Sequence, residues 1–311
     1  MRLGLPVRIL GHPGLRPYDS RRWQNSPHLS VSLAYLRDII LYLERKGIKF
    51  YRLASELAPY IAHPDLPAFH RQIEECSREL EEIGKMARER GIRFSFHPSY
   101  ISLTSPRPEV VERSIRHITA LARILEAMGL GPEAVVVIHA GGAYGDKASA
   151  LARLCRVLDR LPQEVLSRLS LENDDLIFSV ADLLSVHERT GIPLTFDHLH
   201  FLNLSDGMEE DEALRLCLDT WPQGVIPKVH FSSPRTAMKL VEEAGRKRAY
   251  PPHPSEHADF VNPFEFIAFC RTALMTDGRD FDIMLEAKAR DLALLELRSN
   301  LKKFAPELEV E

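Results

Sequence analysis

Residues 134–139 read Ala134-Val135-Val136-Val137-Ile138-His139, five apolar residues that close on an imidazole. A run so short and so rich in β-branched residues predicts a buried strand. The pattern returns in Arg2 to Val7, Ile48 to Leu53, Ile92 to His97, Arg168 to Glu172, Ile192 to Asp197, Ile226 to Phe231 and Phe281 to Glu286. In six of the eight, the last residue or the one before it is a potential metal ligand: His97, His139, Glu172, Asp197, His230 and Glu286.

Between the strands, apolar residues recur at three and four. This spacing predicts helices over Ser32 to Lys46, Gln72 to Arg90, Pro108 to Met128, Ala148 to Leu161, Val180 to Arg189, Glu210 to Leu218, Pro263 to Met275 and Leu292 to Leu301. Three of them stop on cationic residues followed by Gly47, Gly91 or Gly191, with the next strand starting at once. Strand and helix alternate without a low-complexity linker. The expected fold is therefore α/β, a single (β/α)8 TIM barrel over residues 1–311 rather than a doubly wound open sheet. In such a barrel the carboxyl ends of the strands share one face, so the six strand-end donors converge there.

Composition narrows the class further. The chain has 45% hydrophobic residues, enough for a sizeable core, and a net charge of -4, which excludes a broadly basic nucleic-acid coat but not a local basic groove. Cys76, Cys155, Cys217 and Cys270 have no C-x-x-C spacing and lie in helical stretches, so they are expected to be reduced and buried. With neither a leader-like start nor an apolar run near the roughly 18 residues of a membrane span, a soluble cytoplasmic protein is expected, with no membrane association.

Three long connections open on the ligand face: Gly11 to Ser30 with Arg16, Arg21, Arg22 and Trp23; Ala54 to Phe69 with His63; and Ser232 to Asn262 with Arg246, Lys247, Arg248, His253 and His257. The acidic tail Glu307 to Glu311 is expected to be frayed.

Imidazoles and carboxylates hold zinc, manganese and ferrous iron, and a carboxylate can bridge two ions. The six strand-end donors, with His63, His200 and His257 from loops, make nine candidates, enough for two or three ions. Such a cluster suits phosphodiester hydrolysis, in which ions activate water and offset charge on the phosphoryl group. His12, His28, His70, His117, His187 and His253 stand alone and are read as non-ligands, and His198 alternates away from the barrel axis. Gly141-Gly142-Ala143-Tyr144-Gly145 follows His139 and reads equally as a phosphate cradle or a tight turn. Lys228 shares the interior face with His230, where it would be neutral, modified, turned to a phosphate or paired with a carboxylate. Lys288, two residues after Glu286, admits the same readings.

Taken together the motifs resemble the ultraviolet damage endonuclease family, TIM-barrel enzymes related to the metal-dependent apurinic endonucleases. The resemblance is carried by Tyr51-Arg52-Leu53-Ala54-Ser55-Glu56-Leu57-Ala58-Pro59 with His63-Pro64, Ser95-Phe96-His97-Pro98, Ile138-His139-Ala140-Gly141-Gly142-Ala143-Tyr144-Gly145 and Leu171-Glu172-Asn173-Asp174. It continues through Phe196-Asp197 with His200, Pro227-Lys228-Val229-His230-Phe231-Ser232-Ser233-Pro234, His257-Ala258-Asp259 and Leu285-Glu286-Ala287-Lys288, and so covers nearly the whole chain in order.

The resemblance implies cleavage of damaged double-stranded DNA immediately 5′ to a distorting lesion, with manganese preferred and zinc or magnesium as substitutes. It implies His63 or a close neighbour in its loop, His97, His139, Glu172, Asp197, His200, His230, His257 and Glu286 as metal ligands, with Glu172 bridging. Glu172, Lys228 and His230 would serve catalysis, Lys228 in a form that family members can carry modified. Ser99, Tyr100, Tyr144 and Arg52 would contact substrate. No obligate protein partner is implied.

The chain departs from the family where the lesion is sensed. Relatives place a Gln-aromatic pair after the third-strand His-Pro, whereas this chain runs His97-Pro98-Ser99-Tyr100-Ile101, one residue shorter, which leaves Tyr100 as the aromatic wedge or Tyr100-Ile101 as the pair. Leu5 also stands where relatives tend to have an aromatic. Three other readings compete: a metal-dependent sugar or sugar-phosphate isomerase or epimerase, an apurinic-site endonuclease, and a damage-binding protein that has lost turnover.

Overall fold

The computed structural model describes residues 1–243, 245–275 and 279–311. All eight predicted strands form: β1 Leu3–Pro6, β2 Phe50–Arg52, β3 Arg93–Ser95, β4 Val136–Ile138, β5 Leu169–Glu172, β6 Leu194–Asp197, β7 Lys228–Phe231 and β10 Asp282–Leu285. A hairpin of β8 Lys239–Glu243 and β9 Arg246–Tyr250 lies between the last two. The eight pair in parallel, in the order β3-β2-β1-β10-β7-β6-β5-β4. A parallel bridge from Phe96 to Val136 closes β3 onto β4. The Phe96 amide donates to Val135 and the Phe96 carbonyl accepts from Val137, both at 2.9 Å. The sheet is a closed barrel.

The surrounding helices are α1 Leu29–Lys46, α2 Gln72–Glu75, α3 Ser77–Glu89, α4 Pro108–Ala127, α5 Lys147–Leu158, α6 Gln163–Leu166, α7 Val180–Thr190, α8 His198–Asn203, α9 Glu210–Asp219, α10 Pro263–Met275 and α11 Arg290–Phe304. Caps mark several starts. Asp146 accepts from the Ser149 amide ahead of α5, and Ser179 with Asp182 forms a reciprocal capping box on α7. Among the described residues no helix is long and apolar enough to cross a membrane. The four cysteines are buried and unbridged, and burial pushes their thiols up, Cys76 to about 11.

Side chains two apart on a strand share one face, and this periodicity stacks the barrel interior in layers. At the floor, Arg93 on β3 donates to Asp282 on β10 at 2.9 Å and to the Pro227 carbonyl at 3.2 Å, and Asp282 also accepts from Nε of Arg2 at 2.8 Å. Above them, Lys228 Nζ donates to Ser95 Oγ at 3.1 Å across the barrel, and Ser170 and Thr195 hydroxyls meet at 2.7 Å. The next residues on these strands are His97, Glu172, Asp197, His230 and Glu286. Gly4 permits this packing: a Cβ there would lie 2.7 Å from the Phe50 ring and 2.8 Å from Met284 Cε.

Four expectations change. The helix expected over Gln72 to Arg90 breaks at Cys76, whose φ of -109° and ψ of 21° leave the helical region and separate α2 from α3. The acidic tail is docked rather than frayed. The Leu3 amide donates to the Glu311 carbonyl at 2.7 Å, the Glu311 amide donates to Met1 at 3.0 Å, and Leu308 is buried in the core. Local charge pointed to solvent, but the Leu3 amide, ahead of the first β1–β2 pair at Gly4, and apolar Leu308 favour docking. Lys288 is exposed, because β10 ends at Leu285 and its alternation does not carry that far. The connection from Ser232 to Asn262, expected only as a long loop, contains a β-hairpin.

Candidate metal centre

Glu172 stands at the middle of the carboxyl-end face and is completely buried. Its Oε1 lies 2.8 Å from His230 Nδ1 and 3.5 Å from His200 Nδ1, and its Oε2 lies 3.1 Å from His97 Nε2 and 3.8 Å from His139 Nε2. Asp197 and Glu286 complete the group through His230, at 3.9 and 3.4 Å. His257 Nδ1 is 3.6 Å from Glu286 Oε2. Among the described residues, three overlapping donor sets have ligand atoms within 4.8 Å of one another: His97 with Glu172 and His230, His139 with Glu172 and His200, and Asp197 with His230 and Glu286. Glu172 belongs to two of them.

The imidazoles are aimed by backbone carbonyls. His97 Nδ1 donates to Val137 at 3.0 Å, His200 Nδ1 to Asn173 at 2.9 Å and His257 Nδ1 to Glu286 at 2.8 Å. A proton on Nδ1 leaves Nε2 as a lone pair, which for His97 points at the Glu172 carboxylate. Two electron-rich groups at 3.1 Å repel unless they share a proton or a metal ion. Asn173, a residue that sequence reasoning quoted without assigning it a role, clamps Asp197 by donating to its carbonyl at 3.1 Å and accepting from its amide at 2.8 Å. Its position next to Glu172 at the strand end was the available signal.

Electrostatics favour a cation here. Burial and then the neighbouring Asp197 push the Glu172 carboxyl well above its usual range. Burial would also raise Glu286, but Arg52, His230 and His257 outweigh it and hold that carboxyl well below. Burial lowers His97, with Arg52 adding to it, and lowers His230, with Lys228 adding. His200 goes the other way, to about 9, because Asp197, Glu172 and Glu286 outweigh its burial. Glu172 Oε2, Asp197 Oδ2 and His139 Nδ1 are buried without a hydrogen-bond partner. Buried polar atoms without partners are costly, and these are oxygen and nitrogen donors of the kind that divalent ions take. The residues fit a bound metal.

Not every proposed site residue joins this group. His63 belongs to none of the three donor sets. It lines a cavity of about 450 Å³ beside the cluster, together with Ser55, Glu56, Tyr60, Arg113 and His117, and its Nδ1 accepts from the Asp65 amide at 3.3 Å. Arg52 is buried, ion-paired with Glu286 and 3.3 Å from His230 Nε2, so its guanidinium faces the carboxylates instead of an open groove. Lys228 is fully buried on the layer beneath, where desolvation and then Arg52 hold its amine well below the usual range. His198 points outside the barrel, stacked on Phe231 at 4.5 Å.

Around the centre, Tyr100 is 92% exposed, with a φ of +63°, which is uncommon for a bulky residue and fixes the ring outward beside exposed Ser99. The loop that carries it is clasped by the Gly141 run. Leu103 and Thr104 amides donate to the Ala140 carbonyl at 3.1 and 3.3 Å, and the hydroxyls of Tyr144 and Ser102 meet at 2.9 Å. A Cβ on Gly141, whose φ is +118°, would lie 2.4 Å from Ser102 Oγ. The glycine run thus fits a close approach of two protein loops. In the first loop, Arg21 pairs with Asp19 at 2.6 Å, Arg16 lies 5.9 Å over Tyr35, and Trp23 is exposed.

With this geometry in place, comparison with known proteins is informative. The model of the family described as UV-endonuclease UvdE matches residues 28–310. A curated UV DNA damage endonuclease of Bacillus pumilus (strain SAFR-032) is 38% identical over 257 residues, covering 82% of this chain and 75% of that one. The crystal structure of SacUVDE superposes with a TM-score of 0.80 at 30% identity, covering 97% of this chain and 98% of that one. A 3-keto-D-glucoside 4-epimerase from E. coli matches with a TM-score of 0.59 at 13% identity over 97% of this chain and 99% of its own, a likeness of fold alone.

Proposed function

The chain belongs to the UV-endonuclease UvdE family, and on that premise we propose that it is a metal-dependent DNA repair endonuclease, nicking the phosphodiester backbone on the 5′ side of UV photoproducts and other distorting lesions. The observation that carries this reading is the buried carboxylate trio of Glu172, Asp197 and Glu286 within a ring of imidazoles, with carboxylate oxygens left unpaired. His97, His139, Glu172, Asp197, His200, His230, His257 and Glu286 would hold two or three divalent ions, manganese by preference, with zinc or magnesium suited to the same donors. Such ions supply a lowered water pKa and offset charge on the phosphoryl group.

The protein's own residues divide the remaining work. Glu172 is shared between donor sets, and His230 orients it through the 2.8 Å contact. Lys228 supports the ligand layer from below, and burial pulls its amine toward the neutral form that carbamylation requires. Tyr100 stands out from the face as an apolar wedge able to unstack a weakened base step, at a cost of a few kcal/mol offset by contacts to bent DNA. Ser99 and Tyr144 would contact the same strand, and His63 at the cavity rim would meet substrate.

The test is nicking of an end-labelled duplex that carries one cyclobutane dimer or (6-4) photoproduct, beside undamaged and abasic duplexes, with manganese and with chelator. Manganese-dependent cleavage 5′ to the photoproduct is expected. Tyr100→Ala should keep its metal content yet lose lesion-dependent nicking by about ten-fold or more, the equivalent of about 1.4 kcal/mol. Wild-type behaviour of this variant would remove the wedge. Cleavage only at the abasic site would move the substrate toward that of the apurinic endonucleases, and inertness on every duplex would favour a small-molecule barrel enzyme.

A further inference from the structure

The hairpin between β7 and His257 is unlike the rest of the fold. Its five pairs run from Lys239 opposite Tyr250 to Glu243 opposite Arg246, and every residue of β9 is exposed. A two-stranded ribbon with water on both sides is marginally stable alone. This one still leaves Leu240 74% exposed and Met238, Val241 and Tyr250 open as well. Its root is firm. Lys239 is ion-paired with Glu256, the Arg235 amide donates to the Glu256 carbonyl at 2.6 Å, and Pro234 bridges to His257, itself 3.6 Å from Glu286. The ribbon is therefore fixed to the metal face.

Directly opposed residues share a side, and sides alternate along each strand. The pairs Lys239–Tyr250, Val241–Arg248 and Glu243–Arg246 thus share one side, three cations to one acidic residue, and the pairs Leu240–Ala249 and Glu242–Lys247 share the other. The first is cationic with an aromatic and a branched apolar residue between the charges. Facing a second copy of itself, this surface would repel. It complements a phosphate backbone, whose charges recur about every 1.7 Å along a duplex, with Tyr250 and Val241 placed to cover sugars. Five residues span about 17 Å, roughly half a turn of duplex.

We propose that this ribbon is a duplex-gripping arm: its Arg246–Arg248–Tyr250 side lies against the phosphate backbone of substrate DNA flanking the cleavage point. The proposal rests on the endonuclease reading above and adds to it a partner surface outside the metal centre.

The experiment compares wild type, the double variant Arg246→Ser/Arg248→Ser and the opposite-side variant Lys247→Ser. Binding to an undamaged duplex is followed by anisotropy across a salt series, and manganese-dependent nicking of a photoproduct duplex is measured alongside. In the double variant, the slope of log affinity against log salt should fall by about one per lost phosphate contact. KM should rise several-fold, with kcat and metal content unchanged. Lys247→Ser should track wild type. An unchanged salt slope and KM in the double variant, or an equal loss in Lys247→Ser, overturns the assignment of this side, as does a fall in kcat alone. Because binding is read on undamaged DNA, a reduced slope alongside a wild type that nicks no photoproduct would support the arm and sink the repair reading. Absence of duplex binding by the wild type would sink both.

Discussion

Replacing Glu172 by Gln is expected to abolish nicking, by at least on the order of 10²–10³ in kcat, the scale on which one preorganised charge-stabilising group acts. Glu172 is shared by two of the three donor sets and contacts four histidines. The amide is nearly isosteric, so the fold should persist, but an NH2 cannot ligate an ion. Metal content by elemental analysis should fall together with activity. A second readout separates this from a simple structural defect. A cation bound at 100 times its Kd stabilises the folded state by about 2.7 kcal/mol, so chelator should lower the Tm of wild type and leave that of the variant almost unmoved. Full metal content with lost activity would make Glu172 a reacting group only; full activity would remove it from the centre.

The second large effect is on stability and arises at the opposite end of the barrel. Asp282→Ala should destabilise the protein by about 3–5 kcal/mol, the usual consequence of removing one partner of a buried charge pair. Arg93 is fully buried, and Asp282 is the charged group it meets, at 2.9 Å, while Arg2 donates to the same carboxylate. Burial already pulls the Arg93 guanidinium below its ordinary pKa, with Asp282 as the first opposing influence. Without that carboxylate, the Pro227 and Glu133 carbonyls remain its partners, at 3.2 and 2.9 Å. Urea unfolding should show a lower midpoint at constant slope. The double variant Arg93→Met/Asp282→Leu should recover much of the loss, because two apolar side chains carry no desolvation penalty. A loss below about 1 kcal/mol for the single variant would mean that water reaches the floor.

These two layers explain why so much was readable in advance. Period-two alternation puts Arg93, Ser95 and His97 on one strand face, and Lys228 with His230 on another, so an apolar strand that ends on an imidazole or carboxylate reports both the barrel and the end where these groups cluster. Local chemistry was also sufficient for the cysteines and for the convergence of His97, His139, Glu172, Asp197, His200, His230, His257 and Glu286. The departure after His97-Pro98 was visible as well, and the structure presents Tyr100 outward there.

The chain alone therefore determined the α/β alternation, the single barrel and most of the residues that cluster at its carboxyl end, because each depends on the spacing of residue types along individual strands. Tertiary structure decided what depends on partners distant in sequence. It seated Arg52 against Glu286, 234 residues away, and recruited Asn173 to clamp Asp197. His63 was left at a cavity rim by the path of its loop, and the tail was drawn onto β1, where the Leu3 amide precedes the first β2 pair and donates to Glu311. The hairpin after β7 likewise became a ribbon because backbone pairing across a turn organised charges that, as sequence, fitted a basic rim and ordinary solvated surface about equally.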